Sequence, residues 1–519
     1  MQKIDEKKIL FLLIFLHLAV ALPLAFYLNI WVDEASTLHT TQNGFFTAFN
    51  NLFNEEKQAP LYFLLMSLWR KINDSIFFAR LFSIICSTLA IKAFFDFSRE
   101  IWKDKTAYFV AVFFALHPFL FWASLEIRLY SLLILLSILL LKFFYNGYFD
   151  KEIISRKGAK AQKEAQIYFV LSAIIALYTN YYLGFLLVGC FVALLVLRRW
   201  AEAKSYFMQM LFVALAILPL LWIIQQQFSV RVFSFHAERW LFEGLSVFWN
   251  HFLMFVLPTE IFPSEEASVF SIVRIWIVRI AIVAVLVITV KRRGKNLDEK
   301  VIAFGTITAV IVAFLLFVYF QLGHGYVEIR HASVFFVPFI LFVASVLVGI
   351  LPQRHKDAEI SKTQYHLVIS FAVLYAIFFS YSLSALYPNM AKRGDWARVG
   401  AFIEQNEKPN QPIVVFQAYD AIALPYHYKG ANRILPDEKF FAFEAEDKSG
   451  SANSFRGQID FIISKIPPDA EEIWLLTNEK CAVGEACLPL ENFARSDYTI
   501  VQEKNFYTER VRLLRRKAE

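Results

Sequence analysis

Asp33 and Glu34 are adjacent carboxylates that follow a long apolar run, Ile9 to Leu28, in the segment Trp31-Val32-Asp33-Glu34-Ala35. An acidic pair at the end of a membrane helix is costly unless it faces water and has work to do. A carboxylate there can act as base toward a hydroxyl nucleophile. Arginines recur at comparable places: Arg80 early in the next apolar run, Arg128 in Glu126-Ile127-Arg128-Leu129-Tyr130, and Arg330 in Glu328-Ile329-Arg330-His331. A guanidinium fork offers bidentate donors to a phosphate. Tyr62 in Gln58-Ala59-Pro60-Leu61-Tyr62 and Tyr181 in the turn Tyr178 to Gly184 add aromatic groups to the same set. Carboxylates, arginines and aromatics gathered at one leaflet suit an anionic, amphipathic substrate.

The elements that must carry these groups are membrane helices. Of 519 residues, 58% are hydrophobic and 19% charged, and the mean hydropathy is +0.48. Soluble domains average about 45–50% apolar and about 25% charged residues. Runs near the ~20 apolar residues that cross a bilayer core predict about eleven spans. They lie near 9–29, 75–98, 106–122, 127–145, 167–179, 181–197, 206–226, 272–290, 301–320, 333–350 and 366–386. Residues 2–8 are charged and no small-residue cleavage pattern follows the first run, so it reads as a retained helix. Lys and Arg crowd alternate loops, with Lys151, Arg156, Lys157, Lys160 and Lys163 in one and Lys291, Arg292, Arg293 and Lys295 in another. The positive-inside rule makes those loops and the N-terminus cytoplasmic. An odd number of spans then puts Asp33-Glu34, the other candidate groups and the C-terminal tail outside. The net charge of +7 is spread over many short loops and forms no single patch, which gives nucleic acid no support as a partner.

Two domains are expected. Residues 1–387 form the transmembrane part. From 388 to 519 apolar runs shorten and Pro, Gly, Asp, Asn and Glu become frequent, as in a soluble extracytoplasmic α/β domain. Within it, Asp395 to Asn406 reads as a helix with Trp396, Val399 and Phe402/Ile403 on one face. Ile413–Phe416, Ile473–Leu476, Tyr498–Gln502 and Arg510–Leu514 read as strands, and Phe461–Ser464 is apolar but of unclear type. Cys481 and Cys487 could close a small disulfide loop in an oxidising compartment, and Cys86 and Cys190 read as packing residues inside spans. The first external loop holds two amphipathic candidates, Ala35–Phe53 and Leu61–Ile72, lying along the interface. A second external loop, near 229–271, holds His236, His251 and Glu260. Their spacing fits no zinc pattern, so a divalent cation is possible but unsupported and no metal ligand is assigned.

Each candidate also has a structural reading. Asp33 can cap the helix from Ala35 onward. Arg80 can pair with Asp74 or snorkel to the interface. Glu126 and Arg128 can form an ion pair of purely structural use, Pro60 and Pro118 can punctuate helices, and Arg330 can anchor a helix end.

Taken in order, these elements resemble the GT-C superfamily of membrane glycosyltransferases. They are most similar to the family 39 group, which holds the protein O-mannosyltransferases and the bacterial lipid A aminoarabinose transferase. The resemblance runs over most of residues 10–400. It rests on the acidic pair after the first span, Pro60-Leu61-Tyr62, Arg80 in Ala79-Arg80-Leu81-Phe82-Ser83, Glu126 to Tyr130, and Asp395-Trp396. It implies a GT-C-like fold and a sugar donor linked to polyprenyl phosphate. It also implies inverting transfer to a protein, lipid or glycan acceptor at the non-cytoplasmic face of the plasma (inner) membrane. Carried over residue by residue, Asp33 matches the general base, Glu34 its acidic neighbour, and Arg80 a supporting arginine. Ala59 stands where the family carries the first of two prolines, and no basic residue directly precedes it, so Lys57 becomes the substitute contact for donor phosphate. Tyr62, Glu126, Arg128, Tyr130, Tyr181 and Arg330 complete the expected donor or substrate set. A prebuilt lipid donor is already activated, in keeping with a sequence that shows no Gly-rich phosphate-cradling motif.

Other readings stay open at this stage. An O-antigen ligase or polymerase would usually carry a long external loop between late spans, whereas the late turn here is short. A transporter or flippase of lipid-linked sugars would need polar residues at midplane and often a repeat. An accessory subunit would be favoured by loss of the first-loop acid, which is present.

Overall fold

The computed structural model describes residues 6–56, 58–102, 106–228, 298–322, 330–331, 333–350, 386–392, 394–416, 422–436, 455–478 and 487–518. It also describes isolated positions 255, 273, 276–277, 280, 284, 377, 379–381, 383–384 and 481. Of the loop near 229–271 only Phe255 is described, so His236, His251 and Glu260 lie outside the described residues, as do most of the expected spans 272–290 and 366–386. By contacts the chain forms two compact units: Met1–Ala25 with Asn43–Leu386, and Phe26–Gln42 with Tyr387–Glu519. The segment carrying the acidic pair therefore groups with the C-terminal residues.

The first unit is a helical assembly. It begins with α1 (Glu6–Tyr27), whose last residues enter the second unit, and continues with α3 (Phe45–Asn51), which runs into a π turn at Leu52–Glu56. α2 belongs to the second unit and is introduced there. Next come α4 (Leu61–Arg70), α5 (Ile76–Ile101), α6 (Thr106–Ala115), α7 (Pro118–Leu125) and α8 (Tyr130–Phe144, prolonged by a π turn to Phe149). They are followed by α9 (Lys151–Thr179), α10 (Leu183–Val196), α11 (Trp200–Ala216), α12 (Leu218–Phe228), α13 (Glu299–Leu322) and α14 (Ser333–Ile350). Among the described residues, four helices are long and apolar enough to cross a membrane: Glu6–Tyr27, Ile76–Ile101, Tyr130–Phe149 and Glu299–Gln321. Two bent pairs, α6 with α7 at 43° and α11 with α12 at 58°, each pass the same test jointly. The chain is a multi-pass membrane protein.

Several local differences from the sequence reading have physical causes. The expected span 106–122 is broken at His117-Pro118. Pro118 lacks an N–H and starts α7, while His117 Nδ1 accepts a hydrogen bond from the Phe119 N–H at 3.1 Å. His117 Nε2 donates to the Phe255 carbonyl at 2.8 Å, so both ring nitrogens are used at the break. The candidate Ala35–Phe53 is two helices, not one, because Asn43 and Gly44 take φ of 62° and 96°. That left-handed geometry suits Asn and Gly and ends a right-handed helix. The division of the run 167–197 falls at Asn180–Tyr182, between α9 and α10, within the polar turn.

Helices of this unit approach closely where side chains are small. A Cβ placed on Gly189 of α10 would lie 3.1 Å from Ile307 Cα of α13, and one on Gly305 would lie 3.0 Å from the Phe342 ring of α14. Small residues permit such backbone contact in a membrane, where apolar burial drives little helix association. Polar clasps add to it. Ser87 gives its proton to the Ile84 carbonyl at 2.9 Å, so His17 Nε2 is the donor in its 2.8 Å bond to Ser87 Oγ, joining α1 to α5.

The second unit contains α2 (Val32–Thr40), α15 (Trp396–Asn406), α16 (Phe455–Ser464), α17 (Leu488–Asp497) and a five-stranded sheet. The strands are β1 (Ile413–Phe416), β2 (Ile434–Leu435), β3 (Glu472–Asn478), β4 (Tyr498–Asn505) and β5 (Glu509–Arg516), in the order β2-β1-β3-β5-β4. β1 runs parallel to β2 and β3, whereas β5 is antiparallel to β3 and β4. The four expected strands are all present. Phe461–Ser464 is the end of α16, whose Ile459 and Ile462 enter the core with Val414, Leu475, Leu490 and Leu514. Trp396, Val399 and Ile403 are buried on one face of α15, at helical spacing.

Cys481 and Cys487 are disulfide-bonded, and Cys487 lies in the core at the start of α17. Closing so small a loop is worth roughly 2 kcal/mol on the chain-entropy model. A Cys481→Ser/Cys487→Ser double variant is expected to lower the denaturation midpoint of this unit, and an unchanged midpoint would show the loop held by packing alone.

Candidate functional site

Within the second unit, α2 presents the acidic pair in its first turn. Trp31 is the N-cap and Asp33 and Glu34 are the second and third helical residues, where carboxylates meet the positive end of the helix dipole. Glu34 makes a capping contact, its Oε2 accepting from the Trp31 N–H at 3.4 Å. The two acids differ in their surroundings. Glu34 is fully buried, with 0% exposure, and its Oε1 lies 2.8 Å from Nζ of Lys392, itself 3% exposed. Asp33 is half-buried, and its backbone carbonyl accepts from Thr37 Oγ1 at 3.2 Å. A burial-compensating cation thus faces one acid, while the other keeps access to solvent.

The segment before α2 is held by the start of the C-terminal residues. Asn29 Oδ1 accepts from the Lys392 N–H at 2.8 Å, and Asn29 Nδ2 donates to the Gly394 carbonyl. The Ile30 N–H donates to His427 Nε2 at 3.2 Å. Sequence reading singled out Asp395-Trp396 but missed Lys392 and His427. Neither sits in a recognisable motif, and the contacts that give them meaning span more than 350 residues of chain.

In the first unit, Arg80 is fully buried on α5, and its Nη1 donates to the Ala25 carbonyl at 3.0 Å near the end of α1. Its expected alternative partner, Asp74, pairs instead with Arg70 through a 2.6 Å Nε–Oδ1 bond. Arg128 pairs with Glu56: Nη1 lies 3.1 Å from Glu56 Oε2, with the side chains 8% and 3% exposed. Glu126 is buried, and its backbone carbonyl accepts from Ser83 Oγ of α5 at 2.6 Å. Tyr130 is buried with its ring 4.8 Å from that of Trp122, and Tyr62 packs edge-on against Phe82. Pro60 caps α4. Arg330 is partly buried just ahead of α14, whose Ser333 N–H donates to the Arg330 carbonyl at 3.4 Å. Lys57 lies outside the described residues.

Gln227, at the end of α12, ties this region together. Its Nε2 donates to the Leu52 carbonyl at 3.2 Å and to the Gln58 carbonyl at 2.9 Å, while its Oε1 accepts from the Tyr181 hydroxyl at 2.9 Å. One amide thereby brackets the turn that carries Glu56, and through Glu56 reaches Arg128. Tyr181 is thus linked through Gln227 to Leu52 and Gln58, and Arg128 bonds Glu56 directly. Gln227→Leu removes the donor from the buried Leu52 carbonyl and from the part-buried Gln58 carbonyl. It is expected to destabilise the first unit by about 1–3 kcal/mol, measured as a lower thermal midpoint in detergent. Among the described residues no cluster of three His, Cys, Asp or Glu side chains is arranged to hold a metal ion.

The fold is similar to that of solved multi-pass membrane proteins over nearly the whole chain. The chain is similar to the crystal structure of ArnT from Cupriavidus metallidurans in the apo state, with a TM-score of 0.55 at 13% identity, covering 96% of this chain and 97% of that one. It is similar also to ArnT from Cupriavidus metallidurans bound to undecaprenyl phosphate, with a TM-score of 0.54 and the same identity and coverage. The archaeal oligosaccharyltransferase AglB from Archaeoglobus fulgidus aligns more loosely, with a TM-score of 0.45 at 12% identity, covering 95% of this chain and 72% of that one. No family model matches the sequence. No curated protein matches it either.

Proposed function

We propose that this protein is an inverting glycosyltransferase that moves a sugar from a polyprenyl-phosphate donor to a hydroxyl-bearing acceptor at the extracytoplasmic membrane face. The observation that carries this reading is the division of labour within α2. Asp33 is half-buried in the first turn of the helix that follows the first membrane helix, while Glu34 is fully buried in an ion pair with Lys392. Likeness of fold to a protein crystallised with undecaprenyl phosphate supports the donor class.

In this reading Asp33 accepts the proton of the acceptor hydroxyl as its oxygen attacks the anomeric carbon. The bond from that carbon to the lipid phosphate breaks in the same displacement, so configuration inverts and no covalent enzyme intermediate forms. The leaving phosphate is already a good anion and needs positive charge more than it needs an acid. Lys57, Arg80, Arg128 and Arg330 are the proposed sources of that charge, and Tyr62, Glu126, Tyr130 and Tyr181 line or brace the substrate region. The sugar is a hexose or pentose, and the acceptor is a protein, a lipid or a glycan. Residues 1–387 supply the transmembrane catalytic domain and 388–519 the extracytoplasmic one.

The test is direct. Purified protein is incubated with a panel of undecaprenyl-phosphate-linked sugars and membrane extract, and sugar release from the lipid is followed. Release from at least one donor is expected, and none from a folded protein would remove the reading. Orientation is tested separately: a cysteine introduced within 400–410 is expected to react with an impermeant maleimide only from outside, and labelling from the cytoplasmic side would overturn the shared external site.

A further inference from the structure

The hydrogen bonds of the second unit form a continuous path from the sheet to α2. At one end, Glu509 opens β5, and its Oε2 accepts from the Asp395 N–H at 2.6 Å. The neighbouring Thr508 Oγ1 accepts from the Gly394 N–H at 3.0 Å. Lys392 and Gly394 then grip Asn29 through the Lys392 N–H and the Gly394 carbonyl. At the other end the Lys392 ammonium meets Glu34 at 2.8 Å, with both side chains sealed from solvent.

We infer that Lys392 is a positioning residue for Asp33: its buried ion pair with Glu34 fixes the first turn of α2 to the sheet of the C-terminal unit, and so sets where the base stands. This rests on the reading of Asp33 given above. Two charges taken out of water gain little net stability from each other. Their geometry is demanding, however, which makes such a pair suited to fixing register. Asp33 is the residue next to Glu34 in a rigid helical turn, so a shift of Glu34 moves the Asp33 carboxylate with it. The C-terminal unit is then a holder for the catalytic helix and not an appendage. Nothing in the local sequence around Lys392 marks it for this task.

The experiment compares the full-length wild type with Lys392→Met, Glu34→Gln and the double variant E34Q/K392M, using hydrogen–deuterium exchange and donor turnover together. Lys392→Met keeps the length of the side chain and removes the charge. It is expected to lose exchange protection in residues 29–42 while β1, β3 and β5 stay protected. Turnover of the donor accepted by the wild type is expected to fall about 10²-fold, the scale of a misplacement near 1 Å, with the donor KM unchanged. The double variant, which removes both charges, is expected to regain protection of 29–42 and part of the lost rate. Unchanged protection and rate in Lys392→Met would overturn the inference. So would loss of protection across the whole sheet, or a double variant no better than the single ones. If the exchange results hold but wild type turns over no polyprenyl-phosphate sugar, then Lys392 positions α2 and the glycosyltransferase reading is what fails.

Discussion

Asp33→Asn is expected to lower sugar transfer by on the order of 10²–10⁴-fold, the range associated with loss of a general base. The substitution is nearly isosteric, so folding should survive it. Asp33 is half-buried, and the burial-compensating pair in its turn belongs to Glu34. Donor binding should also survive, because the proposed phosphate contacts lie on other residues. The expected signature is therefore a fall in kcat with little change in donor KM, which marks an interaction made mainly in the transition state. Measuring donor turnover against donor concentration, on protein whose thermal midpoint matches wild type, checks this. Full activity in Asp33→Asn would mean the base lies elsewhere.

Arg128→Met is expected to act on both stability and binding. Arg128 and Glu56 are almost wholly buried and lie 3.1 Å apart. Removing one partner of a buried pair costs about 3–5 kcal/mol, because the remaining charge loses its compensation in a medium of low dielectric. Glu56 belongs to the π turn that Gln227 brackets, so the loop carrying Lys57 and Gln58 should loosen. In the proposed reaction, donor KM rises accordingly. The pair E56Q/R128M should recover much of the stability without recovering donor binding. That contrast separates the structural share of Arg128 from its share in holding phosphate. If the double variant were as unstable as Arg128→Met, the Glu56 pair would not be the source of the cost.

Much of the architecture was legible because membrane solvent imposes simple rules. Apolar runs and a late change in composition point to a helical membrane part and a C-terminal part with strands, and both are present. The polar turn within 167–197 divides it into α9 and α10, as its composition suggests. Short apolar strands in the tail were legible for the same reason, since β1 and β3 sit centrally in the sheet. Where the reading failed, local backbone chemistry competed with hydrophobic periodicity. Asn43 and Gly44 end a helix whose amphipathic pattern continues past them. His117-Pro118 breaks a run apolar enough overall for one span, at the proline that could punctuate it.

By itself the sequence determined the class of groups available, two acids after the first membrane helix and arginines at later helix ends, because charge in an apolar chain is conspicuous. That Glu34 sits in a buried ion pair was decided only by tertiary structure. Asp33 and Glu34 are neighbours in one helical turn, and no local signal distinguishes them. Lys392 distinguishes them, from 358 residues away (392 − 34), by pairing with Glu34 at 2.8 Å. Likewise Arg128 meets Glu56, 72 residues away in sequence, because the π turn at 52–56 brings that carboxylate to it. A charge in a low-dielectric interior is tolerated only opposite its partner. The choice of partner is a property of the packed chain, fixed once distant segments meet.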